Sequence, residues 1–348
     1  MMKVIVVGSG VVGASAAYQL AKNNVEVFMV DKEHKGNATA AGAGIVSPWL
    51  STRGDHWYEI AKRGARFYPA LISDLKADGE TNVGYKKVGS LYVSKDESEL
   101  VEMENELHRK KEDAPEVEDI IKLSPEKARE LFPPLHEELG AIFVSGAARV
   151  DGRLLRNALK KAATKHGATL IHGEAELIYR NDKVTGVKVN GEVIEADQVI
   201  VAAGAWAPDL LAPLGIHLQI EPQRGQIAHI KLPDVDTSNW PVVSPRTSHY
   251  MLAFDDSRVV AGATRENGSG FDYRLTASGV HEVLSEALSV APGLNEGTLQ
   301  EVRIGFRPMG SDLSPIIGKV DSVEGMVLAN GLGPSGLTMG PFVGKLAA

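Results

Sequence analysis

The first thirty residues carry two apolar runs separated by a glycine-punctuated gap. Val4 to Val7 reads as a short buried strand, and Gly8, Gly10 and Gly13 follow at G-x-G-x-x-G spacing. An Ala-rich segment ending near Asn23 reads as a helix. Val25 to Val30 reads as a second strand that stops at Asp31. Strand, glycine turn, helix, strand and terminal acid stand in register for the ADP half of a dinucleotide. Gly8 allows the turn, Gly10 lets the backbone approach a pyrophosphate, and Gly13 lets the helix lie close to the strand. The helix N-terminus offers free N–H groups to phosphates, and Asp31 is placed to accept from ribose hydroxyls.

Further along, Gly36 to Ile45 is nearly free of side-chain bulk, which suits close backbone approach to a large flat ligand. About Asp55 to Lys76 reads as a helix with Trp57, Ile60, Ala61, Phe67, Leu71 and Leu75 on its apolar face. Val88 to Val93 alternates as a strand, and Glu97 to Lys111 reads as a charged, exposed helix. Ser124-Pro125 opens another helix. A helix beginning at Val150-Asp151 is followed by strands at 168–172, 175–179, 184–189 and 193–194, the last two joined by the hairpin signal Asn190-Gly191. Gln198 to Val201 reads as a buried strand entering a glycine turn. From Leu218 to about Val302, alternating strands surround one helix, Ala277 to Val290. Glycine-rich character returns at Gly305-Phe306-Arg307-Pro308 and at Gly331 to Thr338.

Composition narrows the chemistry. With 348 residues, two lobes are expected, and 43% hydrophobic with 24% charged residues fits an ordinary globular chain. A formal net charge of −8 and the lack of a basic stripe argue against nucleic acid. No cysteine is present, which removes disulfides, thiolate nucleophiles, iron–sulfur clusters and flavin attachment through sulfur. The ten histidines never take i, i+4 spacing, so no metal is expected. Three glycines interrupt the apolar N-terminus, so it is read as the dinucleotide strand rather than a secretory leader. The expected location is cytoplasmic, or membrane-peripheral for a dehydrogenase.

In order and spacing these pieces resemble the FAD-dependent family of D-amino-acid oxidase, glycine oxidase and D-amino-acid dehydrogenase. They include the N-terminal fingerprint, Val201-Ala202-Ala203-Gly204-Ala205-Trp206, Pro222-Gln223-Arg224-Gly225-Gln226, Gly262-Ala263-Thr264, Gly305-Phe306-Arg307-Pro308 and Pro315-Ile316-Ile317-Gly318. The resemblance implies an α/β fold, with a Rossmann-like FAD-binding domain and a β-rich substrate domain discontinuous in sequence. The FAD-binding domain is expected from 1–81, 141–217 and 303–348, and the substrate domain from 82–140 and 218–302. Noncovalent FAD would lie against Gly8, Gly10, Val11, Val12, Gly13, Asp31 and Lys32, then Ala38, Thr39, Gly42, Ala43, Gly44 and Ile45. It would also meet Ala175, Gly204 and Trp206, and the closing run Leu332, Gly333, Pro334, Ser335, Gly336, Leu337 and Thr338.

Hydride transfer to a flavin needs no side-chain nucleophile, so no catalytic residue is named. What it needs is a carboxylate clamp. Arg307 matches the family's carboxylate-binding arginine, and Tyr250 matches a pocket tyrosine. Arg265 is a weaker second candidate, His249 reads as structural, and Trp49, Trp57 and Trp206 could edge the pocket or serve the core. Two departures stand out: Leu332 occupies a position where many relatives carry His, and Pro334 one where glycine oxidases carry Arg. The chain ends at Ala348 in what reads as an apolar helix, so a short C-terminal tail is expected beyond it.

The expected activity is oxidation of a D-amino acid or glycine-like substrate to an imino acid, which hydrolyses to a 2-oxo acid and ammonia. Oxidation of N-methylated or secondary amino acids is the alternative, as is a non-catalytic flavin-binding subunit. A nicotinamide-dependent dehydrogenase would share the fingerprint but not the later glycine motifs. The expected partners are a small amine and either oxygen or a quinone-type carrier, and a homo-oligomer is compatible with the family. Gly10→Val should abolish flavin loading, read as the ratio of 450 to 280 nm absorbance; a normal ratio would remove this turn from the cofactor site.

Overall fold

The computed structural model describes residues 2–348. Its first sheet is built around the Lys3–Val7 strand, which pairs in parallel with Glu26–Asp31 on one side and Gln198–Val201 on the other. Thr169–His172 and Val323–Asn330 extend the parallel core outward, and antiparallel strands complete nine. Val4 and Val6 pack into one hydrophobic cluster, and Ile5 and Val7 into another. A strand covered on both faces has no solvent side, so its sequence is a continuous apolar run rather than an alternation. Helices Val11–Lys22, Asp55–Ala77, Gly152–Lys165 and Gly336–Ala347 supply the first cover. Asn190 and Gly191 both take positive φ in the tight turn between Lys183–Val189 and Glu192–Glu195, the geometry a two-residue hairpin requires.

The second sheet has eight strands, in the order Thr298–Met309, Glu221–Lys231, Arg258–Gly262, Tyr250–Phe254, Val242–Pro245, Ser90–Ser94, Gly140–Val144 and Ile120–Leu123. All neighbours are antiparallel except Val242–Pro245 with Ser90–Ser94. Helix Ala277–Val290 covers one face through Val283 and Ala287. Helix Glu97–Asp113 covers the other through Leu100, Met103 and Leu107. The changeovers expected at 140/141 and 302/303 both fall inside strands of this sheet, since Gly140–Val144 and Thr298–Met309 belong to it along their whole lengths. Apolar patterning locates strands but does not say which sheet a strand joins. Val88–Val93 is interrupted: Lys86–Lys87 pairs with Ala148–Arg149 in a small third sheet, and Ser90–Ser94 joins the second. Among the described residues no helix is long and apolar enough to cross a membrane.

A buried polar cluster joins the lobes. Asp151 caps helix Gly152–Lys165 by accepting from the Arg153 and Leu154 amides, and it pairs with Arg258 of the second sheet at 3.4 Å. Arg258 stacks on Phe254 and reaches His229 Nδ1 at 2.9 Å. His229 is almost fully buried, with Glu301 its nearest acid at 3.9 Å and Arg153 and Arg303 close by. Burial, then the charges of Arg303 and Arg258, lower its pKa from 6.5 to about 3. His229 is therefore neutral in the fold, while an unfolded histidine takes up a proton below about pH 6.5, so stability should fall as pH drops from there towards 3. His229→Gln, which keeps an acceptor for Arg258 but cannot titrate, should flatten that fall in urea unfolding. An unchanged pH slope would show that other groups govern acid lability.

Candidate active site

The glycine turn is held by backbone contacts. The Gly8 amide donates to Val30 O at 2.8 Å, and Gly8 has φ of +95°, which disfavours a side chain. A Cβ on Gly13 would lie 1.8 Å from Gly8 O, so strand and helix touch with nothing between them. Helix Val11–Lys22 starts at Gly10, which offers no side chain, and has no acid in its first turn; its Val11 amide donates to Thr39 Oγ1 at 3.0 Å. Its N-terminus thus presents partial positive charge to the cavity beside it. Asp31 has a further role that the sequence did not disclose. One carboxylate oxygen accepts from the Ser9 amide and hydroxyl at 2.5 and 2.6 Å, and the other accepts from the Glu33 amide at 2.6 Å. It braces the turn from the neighbouring strand.

That turn opens into a cavity of about 1710 Å³ between the two large sheets. Drug-sized pockets are roughly 300–1,000 Å³, so this one has room for a dinucleotide with a small molecule beside it. Nearly all the expected cofactor residues line it: Gly8 to Val12 apart from Ser9, Asp31, Lys32, the 38–45 stretch, Ala175, Gly204, Trp206 and the 332–338 run. Gly13 is the correction. It does not reach the cavity, and its role is the helix–strand contact. The helix N-terminus without an acid in its first turn, the side-chain-poor wall from Ala38 to Ile45 and the cavity's size fit the FAD expected from the sequence.

Several residues that hold this wall carry no local motif. Trp57 Nε1 donates to Ser335 Oγ at 2.9 Å, Thr338 Oγ1 to Ile45 O at 2.9 Å, and Asn330 Nδ2 to Gly204 O at 2.9 Å. These bonds bind the closing run to segments far away in sequence. Leu332 is buried in the core beside the cavity. Trp206 lines the cavity and stacks between His34 and Phe271, with ring centroids at 4.5 and 4.9 Å. Trp57 also lines it, whereas Trp49 is 1% exposed and belongs to the core.

Arg307 and Tyr250 come from different strands and meet on the cavity wall. Arg307 Nη1 donates to Gln223 Oε1 at 2.9 Å and Thr264 O at 3.0 Å, which fixes the fork. A Cβ on Gly225 would sit 2.6 Å from Arg307 Nη2, so the guanidinium lies across bare backbone at that point. Burial depresses the Arg307 pKa and raises that of Tyr250, and each group's charge works against the other's shift. Arg265 lines the same cavity and donates to Ser248 O at 3.0 Å. Arg53 is there as well, over the Trp57 ring at 4.8 Å, and no sequence signal marked it. His249, read from sequence as structural, also lines the cavity and sits 3.4 Å from Glu282 and 3.7 Å from Glu286 on helix Ala277–Val290.

A family model described as DAO, FAD dependent oxidoreductase, matches residues 3–348. An uncharacterized oxidoreductase of Bacillus subtilis (strain 168), YurR, is 50% identical over 99% of this chain and 93% of its own length. The crystal structure of iminodiacetate oxidase from Chelativorans sp. BNC1 is 49% identical with a TM-score of 0.97, covering 99% of this chain and 94% of that one. Glycine oxidase from Geobacillus kaustophilus superposes with a TM-score of 0.86 at 26% identity, covering 99% and 94%. With the glycine turn, the cavity and the placed arginine, these findings settle the class: the chain belongs to the DAO family of FAD-dependent oxidoreductases, enzymes that act on CH–NH donors.

Proposed function

We propose that the protein oxidises a secondary amino acid, an N-substituted glycine or close analogue, at the CH–NH bond. The observation that carries this reading is Arg307, fixed by Gln223 and Thr264 beside Tyr250 on the wall of the FAD cavity. A guanidinium fork makes two parallel bonds to a carboxylate, which defines the orientation of the adjoining α-carbon. The secondary amine is favoured over the primary D-amino acid by the 49% identical structure, which is that of an iminodiacetate oxidase. Leu332, where many relatives carry His, and Pro334, where glycine oxidases carry Arg, weaken a glycine-specific reading.

In this reading Arg307 binds the carboxylate and Tyr250 donates to it. The Tyr250 hydroxyl keeps its proton because burial outweighs the opposing pull of Arg307 and Arg265. FAD, when bound, accepts the hydride that leaves the α-carbon, so a neutral amine needs no side-chain base. The product C=N bond takes up water and breaks into a 2-oxo acid and the remaining amine, or ammonia from a primary substrate. Reoxidation would fall to oxygen or to a quinone-type carrier, and hydrogen peroxide production in air distinguishes the two. The deciding measurement is anaerobic bleaching of the 450 nm band across N-substituted glycines, glycine and D-amino acids. Bleaching by N-substituted glycines alone supports the reading, and bleaching only by D-amino acids would replace it.

Two predictions follow from this assignment. The cofactor should be noncovalent: after acid precipitation the yellow colour should stay in the supernatant, and colour in the pellet would count against it. Arg307→Ala strands a substrate charge in a partly dry site, a change that commonly costs ~2–5 kcal/mol. It should lower kcat/KM by roughly 30-fold to several thousand-fold while flavin content is retained. Arg307→Lys should recover only part, since it keeps the charge and loses the fork. Loss of flavin in Arg307→Ala would reassign the residue to the cofactor.

A further inference from the structure

Several arginines elsewhere in this protein are paired with acids. Arg149 bonds Asp255, Arg224 bonds Glu266 and Asp272, Arg258 pairs with Asp151, and Arg303 with Glu301. Five arginines of the described residues line the cavity: Arg109 and Arg246 pair with Glu106 and Glu99, whereas the exposed Arg53 and Arg265 and the half-buried Arg307 pair with no acid. Among the described residues none of Arg53, Arg265 and Arg307 has a carboxylate within 4.0 Å; their contacts are the neutral oxygens of Gln223, Thr264 and Ser248 and the face of Trp57. Glu266, an acid near Arg307, is already bonded to Arg224, Gln226 and Thr264. The three cations are close enough to disfavour one another, since after burial the charges of Arg265 and Arg307 push the Arg53 pKa down. Three guanidiniums without a carboxylate within 4.0 Å concentrate positive charge on one part of the cavity wall, which suits a ligand that brings carboxylates to it.

One carboxylate on Arg307 and Tyr250 leaves two cations unanswered. We infer that Arg53 and Arg265 form a second carboxylate subsite, so that the preferred substrate is a secondary amine carrying a carboxylate on each arm. This rests on the proposed oxidation of an N-substituted glycine and extends it to the other side of the nitrogen. The two residues reach the cavity from separate segments. Arg265 follows the Arg258–Gly262 strand, and Arg53 precedes helix Asp55–Ala77. The segment carrying Arg53 is anchored by Lys110, whose Nζ donates to Trp49 O at 2.9 Å and Ser51 O at 2.6 Å. A subsite assembled from two segments and pinned in this way reads substrate length as well as charge, because both carboxylates must be reached at once.

The test uses two matched pairs on the flavin-loaded enzyme. Iminodiacetate and N-methylglycine differ by one carboxylate and report through anaerobic flavin reduction. Diglycolate and methoxyacetate differ in the same way, lack the amine, and report through perturbation of the flavin spectrum. The wild type should prefer the dicarboxylate of each pair by roughly 30-fold or more, the scale of a desolvated charge pair. Arg53→Gln and Arg265→Gln should each shrink that preference at least about tenfold, acting mainly on KM and on diglycolate Kd. Arg265→Lys should retain more of the preference than Arg265→Gln. Equal handling of both members by the wild type would overturn the subsite, and so would variants that weaken both members equally. If N-substituted glycines fail to reduce the flavin, the proposed oxidation falls, and the diglycolate preference alone then decides the subsite. Should Arg53→Gln fail to fold, Arg265→Gln carries the same comparison.

Discussion

The contact between Gly13 and Gly8 O sets the position of the rest of the site. It holds the first helix against the first strand with no side chain between them, which leaves the helix N-terminus at the strand's end facing open space. From that fixed point, Ser15 Oγ donates to Pro341 O at 2.7 Å, so the closing helix docks on the first one although 326 positions separate them. The closing glycine run is thereby delivered to the same cavity as the opening one. Asp31 reinforces the arrangement from the neighbouring strand by holding Ser9. A single close approach of backbone thus governs both ends of the dinucleotide wall.

The junction between the lobes obeys a different constraint. It is the meeting of two sheets, and their junction is charged rather than apolar: Asp151, Arg258, His229 and Arg149 are buried there, with Phe254 between the two arginines. Each of those cations has a partner, and the cluster fixes how the lobes face each other. Arg53, Arg265 and Arg307 line the cavity without an acid partner, in contrast to the paired arginines at the junction of the lobes.

The strands, the helices and the dinucleotide turn were legible because each depends on neighbours in sequence. Buried parallel strands require continuous apolar runs, Gly8 and Gly13 are demanded by backbone approach over six positions, and Asn190-Gly191 closes a two-residue hairpin. Arg307 and Tyr250 were legible through a family motif. Sheet membership was not legible, since pairing of Gly140–Val144 and of the start of Thr298–Met309 is decided by partners far along the chain. The role of Gly13 was legible only as packing, because a residue facing the strand cannot also face the ligand.

By itself, then, the sequence determined the local elements and the cofactor turn, and it marked Arg307 as the arginine proposed to clamp a carboxylate. Only the tertiary structure decided that Arg53, from a loop with no motif, shares a cavity with Arg265 and Arg307, and that no acid answers them. The physical reason is range. Hydrophobic periodicity and turn chemistry act over a few residues, whereas charge compensation acts through space among groups the chain order keeps hundreds of positions apart.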